Sequence, residues 1–202
     1  AYDTAGKMRI FTGVSGVEYQ LTGPYGWKID QAGEIAALTE LIQSGSVWQN
    51  GDSADREPVY SQSAASRTGS DWGNTYVQVD LAGQHVYMIK DGACVWDAPC
   101  VTGNVSKAYT TPDGIYSLTY KEKDRILRGK KLDNGKYEYE SHVDYWMPFN
   151  GGIGFHDATW QSSFGGNRYL SHGSHGCVNM PKDKAAALYD LIPDGCPVVC
   201  HY

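Results

Sequence analysis

Short runs of alternating apolar and polar residues fill the second half of the chain, and they constrain its fold more than any other feature. Residues 76–81 alternate, and residues 84–90 alternate again after the turn Ala82-Gly83. A period of two is typical of strands that bury one face. Further strands are predicted at 93–102, 114–120, 125–130, 136–147 and 196–202.

One helix is predicted near the end of this region, at 182–192. Apolar residues recur there at helical spacing from Ala186 to Ile192, and Pro193 ends the pattern. Residues 75–202 are therefore predicted to form a mainly β domain, a sandwich or barrel with one C-terminal helix.

A small α+β segment is predicted before this domain. Residues 8–22 are typical of two short strands around a turn, and Asp30 is a good N-cap for an amphipathic helix that ends near Ser44-Gly45. We therefore divide the chain into this segment at 1–60, a linker rich in Ser and Gly at 61–74, and the main domain at 75–202.

Charge and hydropathy exclude two classes of partner or location. The 202 residues carry a net charge of −6 without a long basic cluster, so a nucleic-acid partner is not expected. No apolar run reaches the roughly 18 residues that a membrane helix needs. We expect Ala1 to be the start of a trimmed or mature fragment, so the lack of a targeting segment does not indicate a location.

The five cysteines are Cys94, Cys100, Cys177, Cys196 and Cys200. No pair has the CxxC spacing of the usual zinc and redox motifs. A disulfide between the stretch at 94–100 and the stretch at 196–200 is possible in an exported protein, and buried reduced thiols are the alternative. Under either hypothesis Cys177 is left over.

Cys177 lies in the densest group of nucleophile and base residue types in the chain. His156, His172 and His175 all lie within 22 residues of Cys177. A thiol attacks as a thiolate, so it needs a nearby imidazole to take its proton, and the imidazole needs an acceptor that fixes its tautomer. A glycine beside the thiol leaves room for backbone N–H groups to approach an oxyanion. Cysteine nucleophilic catalysis is therefore one interpretation of this group.

Two other interpretations use the same residues. His156, His172, His175 and Cys177 could together form a tetrahedral zinc site. The segment could also be a structural loop with a buried cysteine, which is the commoner role of an isolated cysteine.

A resemblance to a known family favours catalysis. The segment 154–158 (GFHDA), a gap of seventeen residues after His156, and the segment 174–179 (SHGCVN) together resemble the signature of L,D-transpeptidases of the YkuD type. The segment 145–150 (YWMPFN) also resembles the substrate side of that family's site. The resemblance spans roughly 75–202. More weakly, 26–30 and 56–60 resemble the end of a peptidoglycan-binding module that precedes this domain in Gram-positive enzymes.

The resemblance implies a role for each matching residue. Cys177 is expected to be the nucleophile and His156 the general base, oriented by the backbone carbonyl of Asp157. His175 and Gly176, with the N–H of Cys177, are expected to form the oxyanion hole. The expected substrate-binding or orienting residues are Asp157, Ser174, Asn179, Trp146, Tyr145 and His172. Of these, Ser174 and Asn179 are expected to hold the loop, and Trp146 and Tyr145 are equally typical of a core.

The resemblance also implies a reaction and its partners. Cys177 would attack the third residue of a tetrapeptide stem, release D-Ala as a thioester forms, and pass the acyl group to an amine of another stem as a 3→3 crosslink. No metal or cofactor is expected, and carbapenem β-lactams are expected inhibitors. The expected location is extracytoplasmic, at the cell wall of a Gram-positive bacterium, with the full-length protein anchored or secreted. The alternatives are an L,D-carboxypeptidase that transfers the acyl group to water and a non-catalytic wall-binding module.

Overall fold

The computed structural model describes residues 3–45 and 57–202. The N-terminal segment contains a hairpin, β1 (Arg9–Thr12) with β2 (Glu18–Leu21), followed by β3 (Lys28–Ile29), α1 (Gln31–Gln43) and β4 (Tyr60–Gln62). β3 pairs with β4 in a second two-stranded sheet. The predicted hairpin is confirmed.

Helix α1 begins where the capping pattern predicts it. Asp30 accepts a hydrogen bond from Gly33 N at 3.1 Å, which satisfies one of the free N–H groups of the first turn. The helix ends at Gln43, next to the predicted stop. Its predicted apolar stripe is not buried, because Ile35 and Ile42 are exposed. Arg56 and the rest of 46–56, part of the predicted peptidoglycan-binding module, lie outside the described residues, and that module stays a prediction.

Eight strands and one short helix of the main domain follow in chain order. They are β5 (Tyr76–Asp80), β6 (His85–Lys90), β7 (Ala93–Pro99), β8 (Gly114–Ser117), β9 (Glu122–Arg128), β10 (Glu140–Asn150), β11 (Ile153–Asp157), α2 (Tyr169–His172) and β12 (Val178–Met180). Helix α3 (Lys182–Leu191) and strand β13 (Pro197–His201) complete the chain, and a single 3-10 turn covers Val105–Lys107.

These strands form two open sheets. The five-stranded sheet has the order β7-β6-β5-β13-β8, and the four-stranded sheet has the order β12-β11-β10-β9. Most neighbours are antiparallel, but β13 runs parallel to β5 and β12 runs parallel to β11. The mainly β fold and the helix near the C-terminus are confirmed, since α3 ends at Leu191. Strands β11 and β12 and helix α2 were not predicted.

The main core lies between the two sheets and under α3. It contains inward-facing residues of both sheets and the buried residues of α3, among them Val79, Met88, Phe155, Leu188 and Val198. Burial of this apolar area is the main favourable term in folding. The core fixes β11 and β12, the two strands that carry the site.

The predicted linker at 61–74 packs against both parts of the chain. Trp72 is 5% exposed and shares a second apolar cluster with Phe11 of the segment and Ile115 of the main domain. Asp71 is also buried and pairs with Arg9. The small polar residues of this stretch predict a loop, but one tryptophan anchors it. The domain boundary itself stays a prediction.

Candidate active site

A cavity of about 280 Å³ opens between the four-stranded sheet and the loop before β12. Strands β9 and β10, with the residue that precedes β10, supply one wall, and the segments around His156 and Cys177 supply the other. The lining residues are Leu127, Tyr139, Ser141, His156, Trp160, Gln161, His172, Gly173, Ser174, His175, Cys177 and Asn179.

Hydrogen bonds to hydroxyl groups fix the turn that carries Cys177. Ser174 Oγ accepts from Gly176 N at 3.0 Å and donates to Cys177 O at 2.6 Å. Thr111 Oγ1 donates to Gly176 O at 2.6 Å. Gly176 has φ +122°, a conformation that glycine adopts without strain. The turn therefore places the thiol at the start of β12, inside the cavity.

The turn is also attached to the loop after β7. Ser174 N donates to Thr102 O at 3.0 Å, and Asn104 N donates to Ser174 O at 2.9 Å. A Cβ on Gly173 would lie 2.5 Å from Thr102 O and 2.6 Å from Asn104 N, so only glycine fits there. The loop after β7 and the loop before β12 are therefore in direct van der Waals contact at Gly173.

The pairing of β11 with β12 brings His156 beside Cys177. Phe155 is paired with Val178 and His156 with Asn179, so the residue before Val178 lies next to the strand that carries His156. His156 is 3% exposed, and its ring lies 5.9 Å from those of Trp146 and Trp160. Its Nδ1 is 2.9 Å from Asp157 O. Because a carbonyl only accepts, Nδ1 carries the proton and Nε2 is left as a base.

Burial sets the protonation of both groups in the resting site. Burial lowers the pKa of His156, and the Asp157 carbonyl and charge offset this only in part. Burial raises the pKa of the Cys177 thiol to about 11, against a smaller effect of a hydrogen bond with the Gly154 backbone. Cys177 is 9% exposed, and its Sγ lies 3.5 Å from Gly152 O. At neutral pH the pair is therefore thiol and neutral imidazole, and proton transfer accompanies attack.

The Asp157 side chain holds strand β10 in place. Its Oδ1 accepts hydrogen bonds from Asp144 N at 2.8 Å and Tyr145 N at 2.9 Å. The family resemblance implies an orienting role for the backbone carbonyl of Asp157 and no separate role for its carboxylate. The structure shows that it fastens the neighbouring strand while its backbone carbonyl orients His156.

The structure differs from the sequence hypothesis on Gly176. Its N–H, expected in an oxyanion hole, donates instead to Ser174 Oγ within the loop. Among the described residues, the backbone N–H groups of His175 and Cys177 have no hydrogen-bond acceptor. These two groups are available to an oxyanion.

The His175 side chain lies between two tyrosines. Its ring centroid is 4.5 Å from that of Tyr109 and 4.7 Å from that of Tyr139, and its Nε2 is 3.8 Å from Glu138 Oε1. The imidazole of His175 therefore stacks between the two tyrosine rings at the rim of the cavity. In the described part of the chain, no group of three or more His, Cys, Asp or Glu side chains is placed to hold a metal ion.

Three other predicted residues have different positions. His172 lines the cavity and its Nδ1 lies 2.8 Å from Ser171 Oγ. Trp146 is buried in a cluster with Cys177, behind the cavity. Tyr145 does not line the cavity: it faces Tyr189 of α3 at 5.5 Å, because adjacent residues of a strand point to opposite faces.

Sequence reasoning missed several residues of the cavity wall. They are Leu127, Tyr139, Ser141, Trp160 and Gln161. The strands that carry or flank the first three were predicted, but no local pattern indicates that their hairpin folds over Cys177. Trp160 stands four residues after His156, and that proximity was the one available signal.

A buried thiol, a tautomer-fixed imidazole and two free N–H groups in one cavity define an acyl-transfer site of the cysteine type. Residues 74–200 match the family profile described as the L,D-transpeptidase catalytic domain, YkuD. The chain belongs to this L,D-transpeptidase family. No curated protein matches the chain in a sequence comparison.

Solved structures agree with this assignment. The chain is 32% identical to the C442S mutant of Enterococcus faecium L,D-transpeptidase, with a TM-score of 0.79 over 99% of this chain and 76% of that chain. It is 39% identical to the catalytic domain of the E. faecium enzyme, with a TM-score of 0.55 over 63% of this chain and 96% of that chain. An L,D-transpeptidase from Mycobacterium smegmatis is 23% identical, with a TM-score of 0.54 over 64% and 59%, and shares the fold.

Proposed function

We propose that this chain crosslinks peptidoglycan stems by transferring an acyl group through Cys177. The donor is a tetrapeptide stem, the leaving group is its terminal D-Ala, and the product is a 3→3 crosslink to an amine of another stem. One observation carries the proposal: Cys177 and the unprotonated nitrogen of His156 share one cavity. Family membership supports the substrate class.

The first half-reaction forms a thioester. His156 Nε2 takes the thiol proton while Cys177 Sγ attacks the carbonyl carbon of the third residue. The N–H groups of His175 and Cys177 stabilise the negative oxygen of the tetrahedral intermediate. When the bond to D-Ala breaks, His156 returns the proton to the leaving amine. His156 is then neutral again.

The second half-reaction consumes the thioester. An amine of the acceptor stem attacks the acyl carbon, His156 takes a proton from it, and the thiol of Cys177 is restored. Water in place of the amine would release a tripeptide, which is the L,D-carboxypeptidase alternative.

β-Lactams of the carbapenem class are proposed inhibitors. One of the similar structures is the E. faecium catalytic domain acylated by ertapenem, and it is 38% identical over 63% of this chain. We propose that Cys177 opens the same kind of strained ring and retains the drug as a thioester.

The cell wall outside the membrane is the proposed location, because the proposed substrate is found there. None of the helices in the described ranges is long and apolar enough to cross a membrane. The α+β segment at 1–60 is proposed as part of a wall-binding module, on the resemblance of 26–30 and 56–60. If the chain were instead a non-catalytic wall-binding module, it would bind wall material without forming a covalent adduct.

Intact-mass spectrometry after treatment with a carbapenem tests the proposal. The wild-type chain is expected to gain the mass of one drug molecule, and Cys177→Ala none, because this thiol shares a cavity with the His156 imidazole. Cys94→Ala is the matched control and is expected to keep the adduct. His156→Ala is expected to slow adduct formation roughly 10²-fold or more.

Two results would contradict the proposal. One is an adduct on Cys177→Ala, which would place the nucleophile elsewhere. The other is a wild-type chain that forms the adduct but releases no D-Ala from a tetrapeptide stem. Chromatography of the products with an added acceptor stem separates the crosslinked dimer from the trimmed tripeptide.

A further inference from the structure

Two residues that line the catalytic cavity, Gln161 and Asn179, each have a buried side-chain atom without a hydrogen-bond partner within the described ranges. The atoms are the amide nitrogen Nε2 of Gln161 and the amide oxygen Oδ1 of Asn179. Asn179 is only 3% exposed. A buried donor or acceptor without a partner carries its full desolvation cost, so such groups are usually satisfied by protein, water or a ligand.

Neither amide side chain is needed to hold its own backbone. Asn179 N donates to Val101 O, and Val101 N donates to Asn179 O, both at 2.9 Å. Gln161 N donates to Ala158 O at 3.0 Å and closes a turn. Main-chain bonds therefore fix both residues and leave their side-chain amides unused. This differs from the sequence expectation that the Asn179 side chain holds the loop.

Both residues adjoin the catalytic base. Asn179 is the partner of His156 in the pairing of β11 with β12. Gln161 follows His156 by five residues, after the turn that begins at Ala158. Any group that these amides bind lies close to the carbonyl that Cys177 attacks.

A donor and an acceptor together select a neutral amide group. A carboxylate would satisfy Gln161 Nε2 but would bring its negative charge to Asn179 Oδ1, which also carries partial negative charge. An ammonium group would satisfy Asn179 and repel the amide N–H of Gln161. A peptide group offers one acceptor and one donor, and satisfies both.

We propose that Gln161 is a specificity-determining residue that binds a peptide group of the acyl donor. Its Nε2 donates to the carbonyl oxygen, and Asn179 Oδ1 accepts the N–H, of the peptide group one residue N-terminal to the scissile bond. This inference rests on the proposed function. It names Gln161, which no motif contains, as the residue that distinguishes an extended stem from a shorter acyl donor.

Gln161→Met tests the inference, because methionine keeps the length of the side chain and removes its hydrogen bonds. Gln20→Met is the matched control, since Gln20 is exposed on β2. Two donors are compared by the rate of D-Ala release: the tetrapeptide stem, and an analogue in which the chosen peptide group is replaced by a trans alkene. The alkene keeps the planar trans geometry and lacks both the carbonyl acceptor and the N–H donor.

The tetrapeptide should lose about 10-fold in kcat/KM with Gln161→Met, and the alkene analogue less than about 2-fold, because Gln161 donates a hydrogen bond only to the first. Gln20→Met should change neither rate. The rate at which iodoacetamide alkylates Cys177, followed by peptide mass mapping, should be the same in all three proteins. That readout separates substrate binding from damage to the site.

Three results would overturn the inference while the proposed function stands. They are an unchanged kcat/KM for the tetrapeptide, an equal loss on both donors, and a parallel fall in alkylation of Cys177. A wild-type protein that releases no D-Ala from either donor would overturn the proposed function, and this inference with it.

Discussion

His156 combines deep burial with a tautomer fixed by its own neighbour, and this combination determines how the site responds to pH. Burial disfavours the imidazolium form and lowers the pKa of His156, while the charge of Asp157 raises it in smaller measure. The neutral base therefore persists below the ordinary histidine value of about 6.5. Acid inactivates the site only when His156 is protonated.

We predict that the acid limb of the acylation rate has its midpoint below about pH 6.5. The second-order rate of carbapenem acylation, followed by loss of the drug's ultraviolet absorbance, measures it without an acceptor amine. Asp157→Asn removes the charge and keeps both the carbonyl and a side-chain oxygen, so it should move the midpoint to lower pH. A midpoint above pH 6.5 would contradict the lowering of the His156 pKa by burial. A higher midpoint in Asp157→Asn would contradict the effect assigned to the Asp157 charge.

The residues proposed to carry the chemistry were named from the sequence, and so was the hydrogen bond between His156 and the Asp157 carbonyl, but other hydrogen bonds of the site were not. Cys177 and His156 stand in a signature whose spacing is visible in the sequence. That the Gly176 N–H is already engaged depends on the path of the loop from Ser174 to Gly176, which the sequence does not show. Gln161 lies in a polar turn without periodicity, so only the three-dimensional fold brings its amide to the cavity.

Among the structural elements, the loop after β7 and the loop before β12 meet in a contact that leaves no room for an added side chain at Gly173. Gly173 has an ordinary φ of −75°, so its glycine is required by space and not by backbone conformation. Thr102 O and Asn104 N occupy the position that a Cβ would take. The loop that carries Cys177 is thus supported from a second element.

We predict that Gly173→Ala lowers the free energy of unfolding by about 1–3 kcal/mol, because the added methyl group pushes the two loops apart. Gly152→Ala is the control: a Cβ there meets nothing within 4 Å, and its free energy should change by less than about 0.5 kcal/mol. Urea unfolding of both variants measures the difference. Equal values for the two variants would show that the loops separate without cost.

Strands with regular alternation were predicted, and the two strands of the site were not. Residues 76–81 and 84–90 alternate because Val77, Val79, Val86 and Met88 face the main core, although the intervening Gln78 is buried as well. Strand β11 contains glycine and histidine, and β12 is three residues long and buried throughout. Neither shows a period, and their parallel pairing joins residues more than twenty positions apart.

At the scale of the whole molecule, a buried ion pair joins the N-terminal segment to the stretch before the main domain. Arg9 Nη1 lies 2.6 Å from Asp71 Oδ2, and the two side chains are 11% and 5% exposed. The same nitrogen donates to Tyr25 O at 2.7 Å, and Thr4 Oγ1 donates to Asp71 Oδ2 at 2.5 Å. Removal of either charge leaves the other buried without its partner.

We predict that Asp71→Ala lowers the free energy of unfolding by about 3 kcal/mol, since it leaves the Arg9 guanidinium buried and unpaired. Glu140→Ala is the control, because its pair with Arg128 is exposed on both sides and should contribute less than about 1 kcal/mol. Chemical unfolding at neutral pH gives both values. If the two variants lose a similar small amount of the free energy of unfolding, the Arg9 guanidinium must be hydrated once Asp71 is removed.

The order of the parts along the chain was predictable, and their packing was not. Composition predicts a loop at 61–74, since serine and glycine dominate it. Nothing local to Trp72 indicates that its ring meets Phe11 at 5.7 Å. Contacts between residues this far apart in sequence depend on the complete fold.

The exposure of Cys94 limits how the protein can associate when it is oxidised. All five cysteines are free, and Cys94 is the exposed one, on β7 at the edge of its sheet. Burial raises the pKa of Cys100, Cys196 and Cys200 far above that of an ordinary thiol, so these groups react slowly with oxidants. Air oxidation of a stored sample is therefore expected to begin at Cys94, where a disulfide between two molecules would give a double-mass band on a non-reducing gel.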